Sequence, residues 1–260
     1  MVDSAATKTG LVNNDIYDQL GERWYTARDD PIALLRAESR ASNPWIAGSI
    51  RQAFPSGELK VLDIGCGGGF LSNYLAEAGF TVTGLDVAAG SLTIAQRHDT
   101  TGRAHYVRGD AYRLPYADGA FQVACAMDVL EHVDEPSRAL LEAARILQPR
   151  GLFFFATFNR NFISWLFGIK GVELFVKNTP PRLHDLSHFI KPAELRAMCE
   201  ECGLRINELR GFVPRFNSAF WRLLMTGVVE DDFAFKFSRN HLIGYIGIAV
   251  KNNRDEARPR

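Results

Sequence analysis

Apolar and polar positions along this chain change period repeatedly. Leu59–Ile64 (LKVLDI) is a short apolar run ending in glycines, which predicts a buried strand. Phe70–Ala78 follows with helical spacing, Phe80–Leu85 (FTVTGL) predicts a second strand and Ala88–His98 a second helix. Ala104–Arg108 and Ala120–Met127 predict a third and a fourth strand. Pro136–Leu147 (PSRALLEAARIL) has the apolar stripe of an amphipathic helix, and Leu152–Phe158 predicts a fifth strand. Pro192–Cys202 predicts a helix with proline in its first turn, and Leu204–Gly211 and Ile243–Val250 predict the last two strands. Strands separated by helices of about 10–15 residues form βαβ units, so an α/β fold with a parallel sheet covered on both faces is expected.

Two stretches interrupt this alternation. Asn159–Lys191 lies between the fifth strand and its helix, and Phe212–Leu242 between the last two strands. Each runs to about 30 residues, well beyond an ordinary connection. Insertions of this kind at a sheet edge are usually lids or binding loops.

Composition narrows the class. The chain has 260 residues, 47% hydrophobic and 23% charged, which suits one large or two small globular domains. Thirty basic residues cancel thirty acidic ones, so no nucleic-acid partner is expected. Four cysteines are too few for a disulfide scaffold, and the lone Cys199-x-x-Cys202 pair falls within a helical pattern, where core packing is favoured. Residues 1–14 are polar and expected to be loose, and Lys251–Arg260 reads as a solvated tail. Asp3, Asp15 and Asp18 with no apolar core beside them predict no signal peptide. The apolar stretches Leu152–Ala156 and Leu242–Val250 fall short of the roughly 18 residues of a membrane span, so a cytoplasmic setting is the expectation.

The candidate chemistry begins after the first strand. Val61-Leu62-Asp63-Ile64-Gly65-Cys66-Gly67-Gly68-Gly69-Phe70 leaves a strand, crosses a glycine-rich turn and opens a helix, so the backbone there can approach a ligand closely. A dinucleotide fingerprint G-x-G-x-x-G fails in every register, which excludes a nicotinamide-dependent oxidoreductase. What remains is D-x-G-x-G-x-G, with an acidic residue that suits a cationic amine better than a pyrophosphate. Asp86 ends the second strand, where a carboxylate can accept two ribose hydroxyls, and Asp110 follows the third, where a carboxylate can take an adenine amino group. Any one of these acids could instead cap a helix. Three in this order fit S-adenosylmethionine best.

With these residues in place, the pattern resembles the class I S-adenosylmethionine-dependent methyltransferases, and Gly109–Val133 is similar to that superfamily over the third and fourth strands. The resemblance implies a Rossmann-like seven-stranded sheet with an antiparallel last strand, and it puts Met127 against the cofactor. Phe158-Asn159-Arg160-Asn161, Ser164-Trp165-Leu166, His184-Asp185 and Phe189–Leu195 resemble the ubiquinone-biosynthesis O-methyltransferases. Arg23-Trp24-Tyr25 and Asn43-Pro44 do so near the N-terminus, where a helix and loop close over the cofactor. The expected layout is an N-terminal helical lid over residues 1–54, a methyltransferase domain over 55–250 and a tail over 251–260. The family's arginine beside the cofactor carboxylate is replaced by Ile46, and Arg40 is the candidate substitute. Gln148-Pro149-Arg150-Gly151 replaces the usual Pro-Gly-Gly, and the region after Gly211 is longer and more aromatic than the family's.

The implied reaction is O-methylation of a phenolic or catechol hydroxyl on an aromatic, polyprenylated quinone precursor. Asp128, Glu131 and His132 fall at i, i+3 and i+4, one face of a helical turn, where two carboxylates and an imidazole can hold Mg²⁺. The matching positions of the resembled family are its proposed metal ligands, with Asp128 in place of a more usual Glu. Glu131 and His132 could equally cap the turn or serve as a general base. His184 is a second candidate base, with Asp185 orienting it, or the two have a structural role. His98, His105 and His241 are expected on the surface. The apolar and basic segment Phe158–Arg182 predicts an interfacial element on anionic lipid, the alternative being that its aromatics pack onto the sheet or line the acceptor pocket. Rival readings are an N- or C-methyltransferase of a secondary metabolite and a non-catalytic cofactor-binding protein.

Overall fold

The structure, a computed structural model, describes residues 16–253. The predicted loose segment over 1–14 and the tail beyond residue 253 lie outside the described residues. Three helices come first: α1 (Ile16–Gln19), α2 (Arg23–Thr26) and the long α3 (Pro31–Ala53). Asp30 caps α3 by accepting the Ile32 N–H, and Pro31 occupies the first turn, where a missing N–H costs nothing. Then come β1 (Lys60–Ile64), α4 (Phe70–Glu77), β2 (Thr81–Asp86), α5 (Ala89–Arg97), β3 (Ala104–Arg108) and β4 (Phe121–Met127). A 3-10 turn at Leu130–His132 leads to α6 (Pro136–Ile146) and β5 (Leu147–Phe158).

The first insertion holds α7 (Phe162–Ser164), a π-helical run Trp165–Lys170, α8 (Gly171–Phe175) and a 3-10 turn Leu186–His188. After α9 (Pro192–Glu201) and β6 (Leu204–Pro214), the second insertion carries α10 (Ser218–Thr226) and β7 (Phe235–Ser238), and β8 (Gly244–Lys251) ends the sheet. The strand order is β3-β2-β1-β4-β5-β8-β6-β7, eight strands where seven are expected. β3, β2, β1, β4 and β5 run parallel, and β8 runs antiparallel to both β5 and β6. The additional strand is β7, an antiparallel edge contributed by the second insertion.

Period-two burial explains the layers. Leu62, Ala124, Phe153 and Phe155 face a core built with α6 and α9, whereas Val61, Val123, Cys125 and Phe154 face the core under α3 and α4. Asn43-Pro44 lies inside α3, where the Asn43 side-chain amide donates to the Phe70 carbonyl at 2.9 Å. Two expectations need correction. β5 begins at Leu147, where Arg150 takes a positive φ and the pairing with β4 shifts register between Phe121 and Val123. Lys251 closes β8 instead of opening the tail, and its ammonium donates to the Leu147 carbonyl at 2.6 Å.

Candidate active site

The carboxyl ends of β1, β2 and β4 meet at the glycine turn. Gly65 has φ +68° and lies against the Val129 side chain so closely that no Cβ fits between them. This contact joins the cofactor turn to the segment after β4. The Gly65 and Cys66 N–H groups both donate to the Leu85 carbonyl, at 2.7 and 3.1 Å, which pins the turn to the end of β2.

The predicted cofactor carboxylates divide by environment. Asp86 accepts the Gly67 N–H at 2.8 Å and the Ala88 N–H at 2.9 Å, and burial raises its pKa against those bonds. Asp63 is buried under the turn, with its Oδ2 accepting the Ser72 hydroxyl at 2.7 Å, and burial pushes its pKa up to about 7. Asp110 is exposed at the end of β3 and accepts the Tyr112 N–H at 2.8 Å. Met127 ends β4 and, like Ala41 and Trp45 of α3, packs on the core cluster of Ala156, Phe212 and Ile246. Arg40 is not brought to this turn. Its guanidinium donates to the Asp231 and Phe233 carbonyls at 3.2 and 3.1 Å, because those carbonyls of the second insertion lie beside α3.

Residues of α1 and α2 close over the turn. Trp24 is buried against Gly67 and Gly68, and its indole donates to the Ser91 hydroxyl at 3.2 Å. Ser91 in turn donates to the Tyr17 carbonyl at 2.7 Å. The Tyr17 ring stacks on Trp24 at 5.9 Å and meets His132 edge-on at 5.7 Å. Tyr17 thus spans the distance from the cofactor turn to the imidazole, a connection that no spacing in the sequence signals. Tyr25 donates to the Gly68 carbonyl at 2.9 Å and stacks on His98 at 3.6 Å, so His98, expected on the open surface, braces the lid.

The acid and imidazole cluster sits beyond Val129. Asp128 has φ +55°, an αL conformation that aspartate tolerates and that turns the chain out of β4. Glu131 is 1% exposed, its Oε2 accepts the Thr157 hydroxyl at 2.8 Å, and its Oε1 has no partner. The His132 and His184 rings lie 5.2 Å apart. Ligand atoms of Glu131, His132 and His184 fall within 4.8 Å of one another, so the insertion contributes His184 where the sequence suggested Asp128. Helical i, i+3, i+4 geometry does not apply here, since Asp128 lies before the 3-10 turn in a left-handed conformation. Asp185 does not orient His184. Its carboxylate caps the 3-10 turn by accepting the Ser187 N–H at 2.8 Å.

The electrostatics are those of a dry, acidic pocket. Burial, and then the neighbouring His184 and His188, holds the His132 imidazole down to about 3, and burial alone holds His184 at about 4. Burial raises Asp128 to about 7, and burial and then Asp128 raise Glu131 well above its usual range. Burial, and then Asp128 and Glu131, also raise the Glu38 carboxyl of α3 well above its usual range.

Comparison with known proteins identifies the fold and the family. The methyltransferase domain family matches residues 62–155. A ubiquinone biosynthesis O-methyltransferase of Escherichia coli is 38% identical over 75% of this chain and 81% of its own. One from Aromatoleum aromaticum is 34% identical over 75% of this chain and 82% of its own. The fold matches magnesium protoporphyrin IX methyltransferase from Synechocystis, solved with S-adenosylhomocysteine, with a TM-score of 0.56 at 20% identity over 81% of this chain and 82% of that one. The chain has a class I methyltransferase fold and belongs to the ubiquinone biosynthesis O-methyltransferase family.

Proposed function

We propose that this protein transfers the methyl group of S-adenosylmethionine to a phenolic hydroxyl of a quinone-biosynthesis intermediate, beside a bound divalent cation such as Mg²⁺. The observation that carries this reading is the Gly65–Val129 contact, which joins the glycine turn to the segment that bears buried Glu131 and half-buried His132, grouped with half-buried His184. The names of the relatives support the acceptor class. Asp63, Gly65, Gly67, Asp86, Asp110 and Met127 are the residues we assign to the cofactor.

The sulfonium is already activated, so the protein's task is to align an acceptor oxygen and to manage its proton. A phenol ionises near roughly pH 10 and must lose its proton to become an effective nucleophile. His132 and His184, held at about 3 and about 4, accept such a proton poorly. Both are neutral at pH 7 and offer lone pairs. Two imidazoles and a carboxylate, with Glu131 Oε1 unpartnered, fit a divalent cation. The cation would supply Lewis acidity, favouring the phenolate. The protein's own contribution is to exclude water with Tyr17 and Trp24 and to hold the His184 imidazole against Phe158 and Phe189 and the His132 imidazole against Tyr17.

A polyprenylated acceptor resides in lipid. The first insertion turns Phe162, Phe167 and Leu174 outward, at 66%, 57% and 75% exposure, and no described helix is long and apolar enough to cross a membrane. We read this surface as an interfacial element on anionic lipid. The deciding experiment for the reaction is an acceptor screen with labelled S-adenosylmethionine. Catechols, monophenols and prenylated analogues are compared with Mg²⁺ and with chelator. Methylation of a prenylated catechol that chelator abolishes and Mg²⁺ restores is the expected result. Full activity after exhaustive chelation would remove the cation, and exclusive N- or C-methylation would remove the phenolic acceptor.

A further inference from the structure

We propose that the Tyr25 hydroxyl is the lock of the N-terminal lid, and that Tyr25 and Asn73 are positioning residues that couple lid closure to the shape of the cofactor turn. This rests on the assignment of the glycine turn to S-adenosylmethionine and goes beyond the carboxylates and glycines of that assignment.

Three side chains from three elements form one chain of hydrogen bonds that ends on the turn. The Tyr106 hydroxyl of β3 donates to Asn73 Oδ1 of α4 at 2.5 Å. Asn73 Nδ2 donates to the Tyr25 hydroxyl of α2 at 3.1 Å, and that hydroxyl donates to the Gly68 carbonyl at 2.9 Å. The direction of the chain is fixed by α5. The other amide hydrogen of Asn73 goes to the Ala95 carbonyl at 3.1 Å, and a flipped amide would set two acceptors face to face there. The Tyr25 oxygen therefore accepts from Asn73, and its single proton is left for Gly68.

The glycine turn is held from both sides at this point. The Gly67 N–H donates to Asp86, the carboxylate assigned to the ribose, and the Gly68 carbonyl accepts from the lid. Gly69 follows with φ +84°, and a Cβ there would meet the Tyr106 hydroxyl at 2.8 Å. The Asn73 N–H donates to the Gly69 carbonyl at 2.8 Å. Loss of the lid's hydroxyl thus reaches a peptide directly beside the one that Asp86 holds.

The remaining lid contacts weigh less on the shape of the turn. The pairs of Glu22 with Arg97 and His98 are solvent-exposed and screened. Trp24 covers Gly67 and Gly68 by apolar packing, which has no preferred direction. Tyr25 is itself fixed, stacked on His98 with 7° between the rings and edge-on to Phe70 at 5.2 Å. Lid opening takes its hydroxyl from the Gly68 carbonyl and the Asn73 amide together, and both are buried in the closed arrangement. A small opening leaves them unpaired without admitting water, so intermediate positions are disfavoured and the lid is either docked or released. Cofactor exchange then waits on release.

The test uses the full chain and S-adenosylhomocysteine, on wild type, Tyr25→Phe, Asn73→Ala and the double variant. Dissociation is followed by stopped flow. The four tryptophans are labelled as 5-fluorotryptophan, and the Trp24 resonance is assigned with Trp24→Phe. Tyr25→Phe keeps the ring and removes the hydroxyl. It should weaken binding by about fivefold to 100-fold, mainly through faster dissociation. The Trp24 fluorine signal should move toward its solvent-exposed position while those of Trp45, Trp165 and Trp221 stay in place. Asn73→Ala should act in the same direction, and the double variant should lose less than the product of the two single losses. A dissociation rate in Tyr25→Phe equal to wild type overturns the proposal. So does a lower melting temperature in which all four fluorine signals weaken together and dissociation is unchanged, the mark of a purely structural hydroxyl. Strict additivity in the double variant overturns the chain through Asn73. Should Asn73→Ala not fold, Tyr106→Phe replaces it in the cycle under the same criterion. Wild type that binds no S-adenosylhomocysteine overturns the cofactor reading itself, and the lock with it.

Discussion

The indole of Trp24 lies on the backbone of Gly68 with no space between them: a Cβ built on Gly68 would meet the ring at 2.6 Å. Gly68 has an ordinary backbone φ, unlike Gly65 and Gly67, so this glycine is required by the contact and not by the turn. Gly68→Ala should therefore cost about 1–3 kcal/mol through overpacking and should lower affinity for S-adenosylhomocysteine. Trp24→Leu should remove most of that penalty when combined with Gly68→Ala. Thermal melts and calorimetry on the four proteins of this double-mutant cycle measure the coupling, and strict additivity would contradict the contact.

Asp63 gives a stability prediction with a definite sign. Its folded pKa of about 7 lies above the usual 3.8, so the unfolded state ionises first as pH rises. The contribution of Asp63 to stability is fully present below about pH 4 and is lost as pH passes through about 7. In the Asp63→Asn variant the amide oxygen still accepts the Ser72 hydroxyl, and the side chain carries no charge. Without cofactor, Asp63→Asn should match wild type near pH 4 and exceed it by on the order of 2–4 kcal/mol at pH 8. Denaturant unfolding at both pH values checks this, and a difference that does not grow with pH would contradict it.

Asp86 has two duties, accepting the Gly67 and Ala88 N–H groups and, as proposed, the ribose hydroxyls. Asp86→Ala should lose roughly 1.5–3 kcal/mol of S-adenosylmethionine binding, a tenfold to 150-fold weaker dissociation constant. Asp86→Asn should be milder, since an amide oxygen still accepts one N–H. Calorimetry that shows unchanged affinity for Asp86→Ala would displace the ribose assignment.

The sheet was legible because its strands are buried on both faces. Val61–Ile64 and Phe121–Met127 are apolar runs that only a covered parallel sheet explains, and the glycines after β1 announce where the ligand lies. β7 was readable in principle from Phe233, Phe235 and Phe237 at period two, but it lies in a stretch set aside as an insertion. The site was legible only where its residues are neighbours in sequence. Asp128, Glu131 and His132 stand in one segment, whereas the cluster draws His184 from 52 positions further along. Arg40 and Asp185 were misassigned for a related reason. Each has a nearer polar partner, a carbonyl of the second insertion or the Ser187 N–H, that local spacing does not reveal.

The proposed lipid surface is larger in the structure than in the sequence. α10 of the second insertion packs on α8 of the first through Leu223, Phe220, Val172 and Val176, and it presents Trp221 and Met225 outward at 56% and 76% exposure. Phe167, Leu174, Trp221 and Met225 are therefore carried by the continuous π-helical run and α8 of the first insertion and by α10 of the second, with exposed Lys170 and Lys177 in the first. Two elements holding one apolar surface in place gain more from lipid than either alone, since the ordering is done before binding. Leu174→Glu and Trp221→Glu should each reduce flotation with anionic vesicles by several-fold, and together they should abolish it, with S-adenosylhomocysteine affinity retained. Lys170→Glu with Lys177→Glu should weaken binding most at low salt, because the attraction is screened within about 10 Å at 0.1 M salt. Ile169 and Val176 face inward at 7% and 2% exposure, so charge there should unfold the insertion instead, which circular dichroism distinguishes. Wild-type protein that stays soluble over anionic vesicles at low salt would make this surface a pocket lid and not an anchor.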